Sequence, residues 1–356
     1  MANSFLTLFY INIYKVIIFF ISICSLLYTN FNDKHISRPK ISIFLPIYNK
    51  ATYLKRSIGS IQNQSIKDIE IILVNDASED NTLQILKEIA KKDSRIKIIT
   101  NNINRGTLYS RAMGIINSKG EYLMNLDPDD SFTDARVLEY LYQKAKKNSK
   151  PDVISYGHLY KNSFTSLKSF ICKKFRTVQF QPEIFKLGNE MRDFLITNKL
   201  IKREIFLKAY DFFKSRIFGE KWVYSEDEIW SVLINKYAKS KICTNKVAYI
   251  YYSNNDSLMH NRINIVSLHD LILWFEMLRA IYNKSEYKKY LLNHLFYLIE
   301  LFKLNNRDNN LTDLIIKNDI LKKKYISVFE YIIINFNYSF NITFLMNILS
   351  SLKTRN

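Results

Sequence analysis

The stretch ISIFLPIYN at residues 41–49, with IEIILVND at 69–76 and EYLMNLDPDD at 121–130, decides the fold of this 356-residue chain. Each stretch begins as a short apolar run, as buried strands do, and ends in polar residues. Apolar side chains at helical spacing mark the intervening and following segments, at residues 51–62, 80–92, 107–117 and 134–147. Because strand and helix alternate, the sequence predicts a mostly parallel, Rossmann-like α/β sheet with helices on both faces.

The polar residues that follow the predicted strands are candidates for a ligand site. In parallel α/β sheets, ligands bind beyond the carboxyl ends of the strands, where the strand order changes direction. Three predicted strands end in polar clusters that would meet at this edge, namely Pro46-Ile47-Tyr48-Asn49, Asn75-Asp76-Ala77-Ser78 and Asp127-Pro128-Asp129-Asp130. An aromatic side chain and several carboxylates from separate strand ends indicate a binding site.

The acidic cluster at residues 127–130 is the sharpest of these signals. Its three carboxylates within four residues repel one another unless a cation neutralises them. Oxygen ligands suit Mg²⁺ or Mn²⁺, which usually bind one or two carboxylates together with substrate phosphates. A turn that binds no metal is the alternative, since Asp and Pro both favour turns. We expect a Mn²⁺ or Mg²⁺ site here.

Tyr48 and Asp76 each allow two interpretations when they are taken singly. Tyr48 is either an ordinary aromatic at the rim of the sheet or a ring that stacks on a nucleobase. Asp76 either forms a turn before the next helix or accepts a hydrogen bond from a base N–H group. Their common position at one sheet edge favours nucleotide binding for both.

The motifs P-x-Y-N, V-N-D-x-S-x-D and L-D-x-D-D occur in this order within residues 40–155. Together they resemble the donor-binding half of family 2 glycosyltransferases. The resemblance implies the GT-A fold and inverting transfer of a sugar from a nucleotide-sugar, usually a UDP-sugar. The Q-x-x-R-W motif of this family's processive synthases is absent, so we expect transfer of a single hexosyl or N-acetylhexosaminyl unit. The expected acceptor is a glycan, a lipid or a protein.

Carried over position by position, the resemblance implies a set of donor-binding residues: Pro46, Tyr48, Asn49, Asp76, Arg111, Asp127 and Asp129. Within this set, Asp76 is expected to bond the base. Asp129 is the first candidate for bridging the ribose and the metal, and Asp130 is the second candidate metal ligand. Asp80 is expected to brace the turn and the helix start after the second strand.

The sequence YSEDE at residues 224–228 supplies the candidate catalytic base. The family has a Glu-Asp pair at about this distance, at a helix start, and its Asp deprotonates the acceptor hydroxyl. The resemblance assigns this role to Asp227, with Glu226 in support. The alternative is a helix N-terminus that favours acidic residues because of its dipole. His260 is a weaker candidate, as a late metal ligand, because a lone loop histidine is usually solvated.

Residues 5–28 are nearly all apolar and could span a bilayer as one helix. We expect residues 1–38 to form a single-pass membrane anchor and a stalk, with a cleaved signal or a buried helix as alternatives. Lys34 and Arg38 follow the apolar run and favour a cytosolic catalytic domain, whereas sequons such as the one at Asn255 would suit a lumenal one. The side of the membrane therefore stays open.

The remaining boundaries follow from these assignments. Residues 39–262 are the expected GT-A domain, with a donor half at 39–156 and an acceptor half at 157–262. Residues 263–356 read as a helical C-terminal region to which no chemistry is assigned.

The composition excludes other function classes. The net charge of +19 is spread along the chain without a zinc-finger or RNA-recognition motif, so we expect no nucleic-acid partner. A nucleotidyltransferase would need a Gly-rich phosphate loop after the first strand, and that loop contains no Gly. A non-catalytic nucleotide-sugar-binding protein of the same fold is the main alternative, although both Asp129 and Asp227 are present.

Overall fold

The computed structural model describes residues 38–161, 168–170, 195–217, 226–253 and 277. The predicted anchor, His260 and, apart from Met277, the predicted helical C-terminal region lie outside these residues. Within the described ranges, no helix has the length and apolar character needed to cross a membrane.

Strands and helices alternate through the first half of the described chain, as the sequence predicts. The strands are β1 (Ile41–Ile47), β2 (Ile69–Asn75), β3 (Ile96–Thr100), β4 (Tyr122–Asn125), β5 (Ser131–Phe132), β6 (Val153–Lys161), β7 (Lys168–Phe170), β8 (Lys199–Lys202) and β9 (Lys241–Tyr252). The helices are α1 (Leu54–Gln62), α2 (Thr82–Ala90), α3 (Thr107–Asn117), α4 (Val137–Lys147), α5 (Arg203–Ile217) and α6 (Glu226–Tyr237).

The strands form one mixed sheet in the order β3-β2-β1-β4-β8-β6-β9-β5, with β7 paired to β6. The first four strands in this order are parallel, as predicted. Beyond β4, however, β8 runs antiparallel to both its neighbours, and β5 and β7 are antiparallel to their partners. The sheet is thus mixed: β6 and β9 run in the same direction as β1 to β4, as a mostly parallel sheet requires, whereas β8, β5 and β7 run the opposite way. Strand β8 has only four residues and is too short for its antiparallel pairing to be predicted from periodicity.

Successive side chains along a strand point to opposite faces of the sheet. Helices cover both faces and form an apolar core on each. Phe44 lies in an apolar core with side chains of α3, α5 and α6. Its neighbours Ile43 and Leu45 lie in a second core with side chains of α1 and α4. At Gly114 of α3, an added Cβ would lie only 2.8 Å from the Phe44 Cβ, so a larger residue would push α3 away from β1.

Some predicted boundaries differ from the observed ones for local reasons. Helix α1 begins at Leu54 rather than at residue 51, and α4 begins at Val137 rather than at residue 134. Before α4, the Asp134 carboxylate accepts a hydrogen bond from the Arg136 N–H at 2.8 Å and holds a turn instead. Strand β6 extends past residue 156, the expected end of the donor half, because it pairs with β9 as far as Lys161.

Candidate active site

The loops after β1 and β4 meet where the strand order changes direction. The chain steps from β1 to β2 and β3, then returns to place β4 on the other side of β1. In open α/β sheets this switch point leaves a crevice that binds ligands. The Lys50 ammonium, in the loop after β1, lies 2.8 Å from a carboxylate oxygen of Asp129, in the turn after β4. The predicted donor residues at these strand ends therefore border the expected crevice.

Asn49 connects the loop after β1 to the loop after β2. Its φ of 50° lies in the left-handed region, which Asn adopts more readily than most residues. Its N–H donates to Ser78 Oγ at 3.1 Å, and its side-chain oxygen accepts from the Glu79 N–H at 2.8 Å. Asn49 thus fixes the relative position of two predicted pocket loops.

Two other predicted pocket residues, in β1 and directly after it, differ in how far they are exposed. Tyr48 is 38% exposed, so its ring is free to cover a ligand at the crevice. Pro46 is buried within β1, where it is paired with Val74 of β2. Pro46 can therefore shape the pocket from beneath, whereas Tyr48 can contact a nucleobase directly.

Asp76 is buried at the end of β2 and organises the start of α3. Its carboxylate accepts hydrogen bonds from the Asn101 amide at 2.7 Å and from the N–H groups of Arg105 and Gly106 at 2.9 and 2.8 Å. Gly106 has a φ of 86°, a conformation that glycine adopts without strain. Bonding of Asp76 to a nucleobase would add to these contacts and stays a prediction. Asp80 braces the neighbouring helix, because its carboxylate accepts the Thr82 N–H at 3.0 Å.

Arg111 is a buried cation that connects the acidic turn after β4 to the start of α6. Its Nη2 donates to Asp127 Oδ1 at 3.2 Å, and its Nη1 lies 2.9 Å from Glu226 Oε1. Both partners of the second pair are largely shielded from water, with Arg111 5% and Glu226 10% exposed. Burial lowers the pKa of Arg111, but the Glu226 and Asp127 carboxylates raise it more, so the guanidinium remains charged.

Asp227, the predicted base, lies in the first turn of α6 beside this ion pair. Its carboxylate accepts a hydrogen bond from the Glu228 N–H at 3.0 Å. Burial raises the pKa of Asp227 to about 6, while Arg111 opposes this shift and Glu228 adds to it. Burial also raises the pKa of Glu226, against the effect of Arg111. Asp227 is therefore a stronger base than an ordinary aspartate and is still ionised near neutral pH.

Two cationic side chains contact Asp129, one at its backbone and the other at its carboxylate. Arg56 of α1 donates from Nη2 to the Asp129 carbonyl oxygen, and Lys50 pairs with its carboxylate. The Arg56 guanidinium also stacks 3.7 Å from the ring centroid of Tyr252 on β9. The Asp129 carboxylate is 19% exposed, so a ligand or ion can still reach it.

Asp130 is buried and its carboxylate contacts β9. The hydroxyl of Tyr249 donates to one carboxylate oxygen, and the Tyr252 N–H donates to the other at 2.9 Å. Burial raises the pKa of Asp130, as do the negative charges of Asp127 and Asp129. Metal ligation by Asp130 would have to replace these contacts with β9, and it stays a prediction.

The acidic turn fits a divalent metal through Asp129 better than through Asp130. Its carboxylates are hard oxygen ligands of the kind that Mg²⁺ and Mn²⁺ prefer. Within the described ranges, no group of three or more His, Cys, Asp or Glu side chains could enclose a metal ion. The residues present therefore fit an ion shared between one or two carboxylates and a donor diphosphate.

The sequence does not single out several residues that contact the acidic turn, among them Lys50 and Tyr249. Lys50 directly follows the P-x-Y-N motif, and a basic residue beside predicted donor-binding residues is a usable signal. Tyr249 gives no such signal, because it lies in the largely apolar run of β9, where it resembles an ordinary core aromatic.

Comparison with known proteins agrees with this geometry. The family model described as glycosyl transferase family 2 matches residues 42–209. A GalNAc(5)-diNAcBac-PP-undecaprenol beta-1,3-glucosyltransferase of Campylobacter jejuni is 29% identical over 217 residues, which are 60% of this chain and 64% of that protein. The glycosyltransferase GlyG of Streptococcus pneumoniae is 28% identical over 241 residues, which are 65% of this chain and 77% of that protein. The chain thus spans less than two thirds of the Campylobacter relative.

A solved structure shares the fold. TarS 1–349 of S. aureus, in complex with UDP-GlcNAc, aligns with a TM-score of 0.61 over 82% of this chain and 81% of that chain. The sequence identity is 16%, so this likeness concerns the fold alone, and it agrees with the expected GT-A fold. The family match spans the strand ends after β1, β2 and β4 together with Arg111. Residues 42–209 therefore form a glycosyl transferase family 2 domain.

Proposed function

We propose that this chain transfers a single sugar from a UDP-sugar to an acceptor hydroxyl, with inversion at the anomeric carbon. The observation that carries the proposal is the buried contact of Arg111 with both Asp127 and Glu226. It joins the acidic turn of the donor half to the helix that carries Asp227. A donor-binding group and a base of raised pKa are thereby part of one polar cluster, as a two-substrate transfer needs.

The proposed chemistry is one in-line displacement. Asp227 takes the proton of the acceptor hydroxyl while the hydroxyl oxygen attacks the anomeric carbon. The bond from that carbon to the donor diphosphate breaks, and the nucleoside diphosphate leaves with the bonding electrons. A single displacement inverts the configuration. A divalent ion at Asp129 would supply stabilisation of the charge that develops on the leaving diphosphate.

A solved structure of the same fold and the exposed ring of Tyr48 both support a UDP-sugar as the donor. UDP-GlcNAc is the ligand in the TarS complex, which supports a UDP-linked hexosyl or N-acetylhexosaminyl donor. The exposed ring of Tyr48 borders the same crevice and would stack on the base. The Campylobacter relative is named for an undecaprenol-linked glycan acceptor. We therefore propose a lipid-linked glycan as the first acceptor class to test, before a free glycan or a protein.

A donor screen tests this function. The full chain is incubated with a panel of UDP- and GDP-sugars, with and without Mn²⁺, and released nucleotide is measured. We expect release from one or a few UDP-sugars in the presence of the ion, and faster release when a lipid-linked glycan is added. Nucleotide binding without any release, across donors and acceptors, would instead favour a non-catalytic nucleotide-sugar-binding protein.

We also propose that residues 5–28 hold the protein in a membrane as a single span. The supporting observation is the length of this apolar run. The full chain should stay in the membrane pellet after a carbonate wash, whereas a chain shortened to begin at Arg38 should be released and remain active. Recovery of the full chain in the soluble fraction would refute the anchor, and protease protection in intact vesicles would decide its orientation.

A further inference from the structure

Lys50 and Asp129 form an ion pair between the loop after β1 and the turn after β4. The ammonium lies 2.8 Å from Asp129 Oδ2, and the two side chains are 20% and 19% exposed. Asp129 is the carboxylate with the best fit to a divalent ion. Lys50 therefore occupies an oxygen atom that such an ion would need.

The acidic turn does not depend on this pair for its shape. Arg56 donates to the Asp129 carbonyl oxygen, and the Asp130 N–H donates to the Asp127 carbonyl oxygen at 3.0 Å. The Asp130 carboxylate in turn accepts the Tyr252 N–H at 2.9 Å. The backbone of the turn thus remains anchored when the Lys50 ammonium leaves.

The loop that carries Lys50 is likewise fixed through its backbone. The Lys50 N–H donates to Thr82 Oγ1 at 3.0 Å, and the Ala51 N–H donates to Asp80 Oδ2 at 3.3 Å. The ammonium itself sits on a flexible four-carbon stem whose donors rotate. Lys50 can therefore exchange one anionic partner for another without a rearrangement of its loop.

We propose that Lys50 is an exchangeable counter-ion of Asp129, which it neutralises in the donor-free protein and releases to contact the donor diphosphate. This inference rests on the proposed function, because it takes the donor to be a nucleoside diphosphate sugar. An ammonium and a divalent cation repel each other, so they compete for the Asp129 carboxylate. Lysine is a common point-charge ligand of phosphate, so the diphosphate offers the ammonium a second partner.

The exchange predicts that metal and nucleotide bind cooperatively. Without nucleotide, a divalent cation has to displace Lys50 from Asp129 and binds weakly. With nucleotide, Lys50 has an alternative anion, and Asp129 becomes free for the cation. Because binding coupling is reciprocal, the cation must raise the affinity for nucleotide by the same factor.

Lys50→Met tests the proposal, because it keeps the stem and removes the charge. Lys55→Met is the matched control, since Lys55 is an exposed lysine on α1 and gives the same change in net charge. Free Mn²⁺ is measured by electron paramagnetic resonance in titrations of the full chain with Mn²⁺ alone, and again with UDP present. UDP affinity is measured by calorimetry at saturating Mn²⁺.

We expect Lys50→Met to bind Mn²⁺ alone about two- to five-fold more tightly than the unaltered chain, the range for loss of a partly exposed pair. Its UDP affinity should fall by a similar factor, and Lys55→Met should change neither. Adding Asp129→Asn to Lys50→Met should cancel the gain in Mn²⁺ affinity. Unchanged or weaker binding of Mn²⁺ alone by Lys50→Met would overturn the proposal.

The experiment distinguishes failure of the counter-ion role from failure of the proposed sugar transfer. Tighter Mn²⁺ binding by Lys50→Met that depends on Asp129 supports the counter-ion role even if no sugar donor is turned over. Conversely, if UDP-sugars are turned over but Mn²⁺ affinity does not respond to Lys50, the function stands and the counter-ion role is refuted.

Discussion

The Arg111 guanidinium lies 2.9 Å from the Glu226 carboxylate, in an ion pair that is almost fully buried. Arg111 belongs to α3 in the donor half, and Glu226 belongs to the first turn of α6, next to Asp227. The same guanidinium donates to Asp127 at 3.2 Å. Arg111 therefore contacts the acidic turn and also the helix turn that carries the proposed base.

Removal of Arg111 should cost both stability and activity. Arg111→Ala leaves the buried Glu226 without its cation, a change that typically costs about 3–5 kcal/mol of unfolding free energy. Combining Arg111→Met with Glu226→Leu should restore most of this stability, because apolar groups replace the buried charges, but should not restore turnover. Denaturant unfolding and nucleotide release measure the two effects. Recovery of turnover in the double variant would show that the pair has only a structural role.

Loss of the Asp227 carboxylate should affect the chemical step rather than donor binding. Asp227→Asn keeps the shape of the side chain but cannot accept the proton of the acceptor, so turnover should fall at least ~100-fold. UDP affinity by calorimetry should be unchanged. Asp211→Asn, at an exposed acid paired with Lys214 on α5, should alter neither quantity and serves as the control. A loss of UDP affinity in Asp227→Asn would place Asp227 in the donor pocket instead.

The pH dependence of turnover should report the raised pKa of Asp227. A base acts in its ionised form, so activity should rise with pH and level off above an apparent pKa of about 6. The Glu228 carboxylate contributes to the raised value, so Glu228→Gln should move this limb to lower pH. Profiles of kcat at saturating substrates measure both effects. A limb near pH 4, the ordinary range for aspartate, would contradict the assignment.

Turnover should require a divalent ion that acts through Asp129. Asp129→Asn should abolish nucleotide release at any Mn²⁺ concentration, because the amide is a weaker ligand for a hard cation than the carboxylate. Asp134→Asn removes an acid that pairs with Lys246 at 2.6 Å, outside the acidic turn, and should retain activity. Full activity of either the Asp129→Asn or the Asp134→Asn variant in excess EDTA would exclude the metal assignment.

The donor half could be predicted from the sequence because its signals are local. Strands β1, β2 and β4 are short buried runs, each closed by a polar turn, and α3 has its predicted bounds of Thr107–Asn117. The parallel order follows from the alternation of strand and helix. The sequence singles out acidic residues after β4 and at the start of α6. In the structure, Arg111 contacts one residue of each group, Asp127 and Glu226.

The rest of the site depends on contacts between distant residues, which no local pattern encodes. Asp130 is adjacent to Asp129 in sequence, yet its carboxylate is engaged by Tyr249, 119 residues further along the chain. The acidic motif alone does not distinguish the buried carboxylate from the accessible one. The insertion of β8, antiparallel to both β4 and β6, is equally non-local.

Helix α3 acts as a spacer of fixed length between the two ends of the site. Asp76 binds the N–H of Gly106 at its start, and Arg111, five positions later, reaches Asp127 and Glu226. At 1.5 Å per residue, this separation is about 7.5 Å, and one inserted residue would turn Arg111 by about 100° around the helix axis. Insertions between the exposed residues 102 and 103 should therefore be better tolerated, whereas an insertion between residues 107 and 111 should disconnect the acidic turn from α6 while leaving the sheet intact.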